Sequence, residues 1–134
     1  MKFPKTALAL GLILALIGAA AQAARKPGVA APPLRAISLA QFDALKKTVA
    51  LPNGVRLGVV ELGDPAGRPV VMIHGYTDNA RDWWPMLPYL DPSRRVILVD
   101  IRGHGASSKP ECCYTRLDFA YDIKLLLDRL GVAL

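Results

Sequence analysis

The chain has only two cysteines and two histidines in 134 residues. The cysteines, Cys112 and Cys113, are neighbours, and no histidine pair stands at ligand spacing beside them. A structural zinc site is therefore not expected. Neighbouring cysteines can bond to each other only through a strained ring, or pair outside the chain; a structural or spare role fits them best. No basic run is longer than a pair, as at Lys46-Lys47 and Arg94-Arg95. A nucleic-acid surface would need a clustered basic stripe, so that class of partner is excluded. A phosphate-binding glycine loop is also missing: Arg102-Gly103-His104-Gly105 is neither G-x-G-x-x-G nor a P-loop with its lysine. Finally, the apolar run Ala7–Ala21 falls short of the ~20 residues of a membrane span.

That short run has another reading. Lys2 and Lys5 precede it, and Ala21-Gln22-Ala23 follows as a small-x-small cleavage signal. Residues 1–23 are read as a secretory signal peptide, which places the mature protein in the periplasm or outside the cell. No stable membrane span is then expected after cleavage. Of 17 basic residues, losing Lys2 and Lys5 leaves 15 against 11 acids, a net charge of +4 in place of +6. What remains is enough for one small domain.

Residues 24–47 read as a linker and a short helix. Pro27, Pro32 and Pro33 break periodicity up to about residue 37. Ser38 is placed to cap a helix with Leu39, Phe42 and Leu45 on one face. The period then changes. Thr48–Leu51 and Val55–Leu62 are β-rich, and Pro52-Asn53-Gly54 between them is a hairpin signal. Asp64-Pro65-Ala66-Gly67 is a second turn. It leads into Val70-Val71-Met72-Ile73, a β-branched run of the kind that forms a fully buried parallel strand. A helix is expected over Asp78–Leu90, limited by Pro85 and Pro88. A second apolar strand, Arg95–Val99, ends at Asp100. Thr115-x-x-Asp118 reads as a capping box opening a helix to about Leu130, with Leu117, Ala120, Ile123, Leu126, Leu127 and Leu130 on its apolar face and Gly131 as its stop. Strands alternating with helices predict a mostly parallel sheet covered on both faces, with an antiparallel hairpin at its start.

The centre of this layout is His74-Gly75-Tyr76-Thr77-Asp78-Asn79. It lies where a strand ends and a helix approaches, the edge at which open α/β sheets bind ligands. The N–H of Tyr76 is then free to point into a cleft, where a donor holds the negative oxygen that develops in acyl transfer. Taken alone, a bare tight turn explains the His-Gly pair equally well.

Two motifs in order decide between these readings. His74-Gly75-Tyr76-Thr77-Asp78 after one strand, then Asp100-x-Arg102-Gly103-His104-Gly105-x-Ser107 after the next, resembles the α/β-hydrolase superfamily. The resemblance covers about residues 48–134 and implies the N-terminal part of an α/β-hydrolase fold. It implies that Tyr76 gives a backbone N–H to an oxyanion hole shaped by His74 and Gly75. Asp100, Arg102, Gly103, His104 and Gly105 then form a mainly architectural loop. Trp83 and Trp84 are candidates for an acyl pocket, with core packing the better reading for at least one. The family's G-x-S-x-G nucleophile elbow has no counterpart in these residues. Nucleophile, acid and catalytic histidine are expected after Leu134, so this chain alone is expected to be inactive. No cofactor and no metal are implied. The substrate class implied is a small-molecule carboxylic ester or related acyl compound, cleaved by a serine. Epoxide hydrolases and haloalkane dehalogenases are the near alternative, with an aspartate nucleophile; Thr77 and Asp78 stand where those enzymes often carry a proline. A non-catalytic α/β-hydrolase-like binding module is the other. In the family's sheet order strand 70–73 lies beside a later strand, so here it is expected to be an open edge prone to self-association.

Overall fold

The computed structural model describes Leu34 and residues 37–132. The signal-peptide segment 1–23, most of the linker and the last two residues lie outside that range. Among the described residues no helix is long and apolar enough to cross a membrane. The elements are helix α1 (Leu39–Ala44), strands β1 (Lys47–Ala50), β2 (Arg56–Gly63) and β3 (Pro69–Ile73), a 3₁₀ helix (Ala80–Tyr89), strand β4 (Arg95–Asp100) and helix α2 (Arg116–Arg129). The sheet order is β1-β2-β4-β3. β1 and β2 form the predicted hairpin around Gly54, and β2 pairs antiparallel with β4 in the register Val59↔Val99. β3 runs parallel to β4, with Val71↔Ile97. The described sheet is thus mixed, with parallel pairing confined to β3–β4. β3 is an edge strand, as expected from the sheet order, and with one side unpaired none of its residues is fully buried, so the fully buried strand suggested by its β-branched run is not what forms.

Strand alternation splits the core into two layers. Leu57 and Val59 of β2 and Ile97 and Val99 of β4 face α2, where Leu126 and Leu127 cover them. Val60, Leu62, Val96 and Leu98 face the other way, onto Phe42 of α1 and Leu87 of the 3₁₀ helix. Every residue of β4 is buried, which is why its sequence shows a continuous apolar run rather than alternation. Leu34, read as linker, is 1% exposed and belongs to this second layer. A single leucine among prolines and alanines carries no period that would mark it.

Three local expectations change. The helix foreseen at 78–90 is a 3₁₀ helix, capped by Asn79. Pro85 and Pro88 have no N–H to give to an α-helical ladder. In α2 the capping box between Thr115 and Asp118 forms, but Leu117 is 82% exposed. Ala120 is exposed too; the stripe that meets the core is buried Leu126 and Leu127 with half-buried Ile123 and Leu130, joined by a buried charged residue, Asp122. At the foot of β4, Arg95 pairs with Glu61 at 2.6 Å and donates to the Leu130 carbonyl at 3.2 Å, so one buried guanidinium holds the end of α2 to the sheet.

Candidate functional site

Asp100 ends β4 with its carboxylate fully buried. One oxygen accepts from Lys46 Nζ and from the Ala106 N–H, both at 2.8 Å; the other accepts from the Ala80 N–H at 2.7 Å. Burial alone would raise its pKa. The Lys46 hydrogen bond, the two backbone donors and the Lys46 charge outweigh that and hold it below the ordinary aspartate value. One carboxylate thus joins the end of α1, the start of the 3₁₀ helix and the loop after β4. The space around it is closed: a Cβ on Gly105 would stand 2.2 Å from Asp100 Oδ2, and Gly105 has φ +47°. Only glycine fits such a position. A shallow polar cleft of about 380 Å³ beside this junction is lined by Asp43, Lys46, Asn79, Arg81, Gly105 and Ala106. Its charges are internally satisfied, with Arg81 on Asp43 and Lys46 on Asp100.

The rest of the loop is pinned from the other side. Arg102, 5% exposed, makes a two-pronged contact to Asp122 with both bonds at 2.6 Å, and donates to the Cys113 carbonyl at 2.7 Å. Asn53 from the hairpin turn donates to the same Asp122 at 2.8 Å. Ser107 Oγ donates to the Asp100 carbonyl and accepts from the Gly58 N–H at 2.8 Å.

The turn after β3 stands against this frame. His74 is buried. The Ile101 N–H donates to its Nε2 at 3.1 Å, and a backbone N–H can only donate. Its proton is therefore on Nδ1, which donates to the Gly75 carbonyl at 2.7 Å. His104 faces two carbonyls, Nδ1 toward Arg102 at 2.9 Å and Nε2 toward Tyr76. The two rings lie 5.1 Å apart. Both nitrogens of both histidines face backbone groups, so neither ring is aimed at a hydroxyl. The four serines are likewise committed: Ser38 caps α1, Ser93 bonds Asp91, and Ser107 and Ser108 bond backbone. Among the described residues no serine meets a histidine, and no cluster of three or more metal-ligating side chains forms.

What the turn leaves open is its outer face. Tyr76 is 82% exposed. Its N–H has no hydrogen-bond partner among the described residues, whereas its carbonyl is held by His104. Gly75 does not have a positive φ, and a Cβ there would meet nothing within 4 Å. The turn geometry therefore does not demand this glycine, and the space beside the Tyr76 amide is clear. Asp78 and Asp82 stand next to the turn. Desolvation, a hydrogen bond that protonated Asp82 gives to Asp78 and that neighbour's charge push Asp82 above the ordinary aspartate range. Trp83 and Trp84 are half-buried and pack on the core layer of Phe42 and Leu87, and Trp84 Nε1 donates to the Ile37 carbonyl at 2.9 Å. The Lys46, Asn53 and Asp122 contacts were not foreseen. The one signal available was a carboxylate, Asp122, on an otherwise apolar helix stripe.

Three strands, a 3₁₀ helix, a fourth strand and an α-helix, with a donor turn after β3 and a carboxylate-pinned loop after β4, define a hydrolase fold of the α/β class. Residues 68–133 match the family model described as alpha/beta hydrolase fold. Over 82 residues the chain is 42% identical to Epoxide hydrolase A of Mycobacterium tuberculosis, covering 60% of this chain and 24% of that enzyme. Among solved structures it resembles epoxide hydrolases from hot-environment metagenomes (38% identity, TM-score 0.61, 64% of this chain and 30% of that one). It also resembles a putative aryl esterase from Burkholderia cenocepacia (35%, TM-score 0.58, 65% and 34%). The chain belongs to the α/β-hydrolase superfamily. It spans about a quarter of the length of the curated relative above.

Proposed function

We propose that this chain supplies the oxyanion-holding turn of an exported serine hydrolase acting on small carboxylic esters or related acyl compounds. The observation that carries this reading is the Tyr76 N–H, unpartnered on an exposed turn at the carboxyl end of β3. Such a donor stabilises negative charge as it develops on a carbonyl oxygen, and removing one is worth about 10²–10³ in rate. The Gly75 carbonyl, which shares a peptide plane with the Tyr76 N–H, accepts from His74 Nδ1 at 2.7 Å and from the Asp78 N–H, and the ring of His74 is itself held by Ile101, so that peptide plane is held before substrate arrives. Pre-arranged donors of this kind need no reorganisation at the moment of reaction. The described residues bring no nucleophile to a base, so turnover is assigned to groups other than these, and residues 24–134 alone are expected to be inactive.

The relatives favour a second reading. Two of the proteins named above are epoxide hydrolases, and epoxide opening would use the same fold with a carboxylate nucleophile. The test is a substrate comparison on the natural gene product, with p-nitrophenyl acetate against styrene oxide. Ester turnover abolished by a serine-directed phosphonate supports the first reading. Epoxide turnover without ester cleavage overturns it in favour of the second. Tyr76→Pro, which removes the N–H, is expected to lower kcat by about 10²-fold or more, while Tyr76→Phe, which keeps it, leaves kcat within a few-fold. Export is tested by the mature N-terminus in the expressing cell, expected at Ala24.

A further inference from the structure

The loop between Ser108 and Thr115 is not used by the hydrolase reading, and it holds the only cysteines. Cys112 and Cys113 are joined to each other by a disulfide. Both are exposed. Cys113 is the only non-glycine residue with positive φ, at +74°, among the described residues. Side chains rarely take that conformation without something to hold it. Two things hold it here: the bond to Cys112 and the Arg102 donor on the Cys113 carbonyl, 2.7 Å long. The neighbouring Tyr114 extends the coupling. Its hydroxyl donates to the Pro110 carbonyl at 2.5 Å, closing the loop on itself. Its ring lies where a Cβ on Gly103 would be, 2.6 Å from that position. The disulfide therefore shapes a small loop whose backbone and ring both lie against Arg102-Gly103, next to the His104 that holds the Tyr76 carbonyl.

We propose that Cys112–Cys113 is a redox modification site for dithiols, and that its state sets the conformation of the Arg102-Gly103-His104 loop. Exposure makes it accessible to exchange, and exposed disulfides are the labile ones. A thiolate of the dithiol attacks one of the two sulfurs and breaks the Cys112–Cys113 bond, giving a mixed disulfide and one cysteine thiolate that takes up a proton. The second thiol of the reagent displaces the remaining cysteine. The protein gains two electrons and two protons as a pair of thiols, and the reagent leaves as its cyclic disulfide. Freed from the ring, Cys113 relaxes toward negative φ, its carbonyl turns from Arg102, and Tyr114 moves off Gly103. The proposal does not rest on the hydrolase reading.

The test uses the full chain. Maleimide labelling counts no thiols before treatment with dithiothreitol and two after it. In amide NMR spectra, reduction shifts Gly103, His104 and Tyr114 and the Arg102 Nε–H, and reoxidation restores them. Two variants separate the disulfide from the backbone conformation it imposes. Cys112→Ser with Cys113→Ala gives the reduced pattern whatever the redox state. Cys112→Ser with Cys113→Gly gives the oxidised pattern at Gly103, because glycine holds a positive φ without a bond. Two free thiols before reduction, a dimer cross-linked through these cysteines, or shifts confined to residues 111–113 would each overturn the proposal.

Discussion

Replacing Asp122 by alanine removes the main ionic partner of a buried guanidinium. The Arg102 side chain is 6% exposed and makes both of its 2.6 Å ionic bonds to Asp122. Asn53 loses its acceptor in the same step. The Cys113 carbonyl remains, and Asp118 lies at the margin of contact, 4.0 Å away. Breaking one partner of a buried ion pair costs about 3–5 kcal/mol. For a domain of this size each kcal/mol is about 4–8 °C of melting temperature, so the variant should lose about 12 °C or more. Since small domains have about 5–15 kcal/mol in all, the loss is about a fifth of the total stability or more. The control is the double replacement Arg102→Leu with Asp122→Leu. With neither charge left to strand, it should recover most of the loss. Urea and thermal unfolding followed by circular dichroism measure both. A loss under about 1 kcal/mol for Asp122→Ala would refute the reasoning, because it would mean that water reaches the guanidinium.

The remaining predictions are narrower. Asp100 has its folded pKa below the ordinary 3.8. Its contribution to stability is complete above that value and is lost as pH falls through the folded pKa, so unfolding should steepen below about pH 4; Asp100→Asn should be less stable at pH 7 and lack that step in an acid-unfolding profile. Gly105→Ala forces a Cβ to within 2.2 Å of Asp100 Oδ2 at φ +47° and should cost about 1–3 kcal/mol, whereas Gly75→Ala, with open space around it, should be within about 0.5 kcal/mol of the parent; chemical denaturation of the two side by side checks the contrast. The open edge of β3 is expected to drive association through strand 69–73. Sedimentation velocity should show concentration-dependent oligomers that a Val71→Lys change on that strand reduces, and a monodisperse parent at all concentrations would count against it.

What was legible in the sequence was what repeats at short range. The hairpin announces itself by Pro52-Asn53-Gly54 between β-rich runs, β4 by the apolar run Val96-Ile97-Leu98-Val99, and α2 by its capping box and its leucines. Each is fixed by neighbours within a few residues, which is the range over which a periodic pattern can be read. The misses have a common cause. Lys46 reaches Asp100 across 54 residues and Asn53 reaches Asp122 across 69, and no spacing rule connects such pairs before the sheet brings them together. Leu34 is buried with no pattern around it, and Leu117 is exposed although the helical period put it on the core face, because α2 meets the sheet only from Ile123 onward. At the turn itself the sequence singled out His74, Gly75 and Tyr76 as candidates. It could not show that both nitrogens of both histidines are taken by backbone, which leaves the Tyr76 amide as the open donor.

The direct test of that donor is a crystal structure of the natural gene product inactivated with a serine-directed phosphonate. The account predicts an adduct in which a phosphonyl oxygen lies about 2.7–3.1 Å from the Tyr76 nitrogen, the distance at which a backbone donor holds an oxyanion. A protein that the reagent does not modify, or an adduct whose oxygen is held elsewhere while the Tyr76 N–H faces solvent, would contradict it.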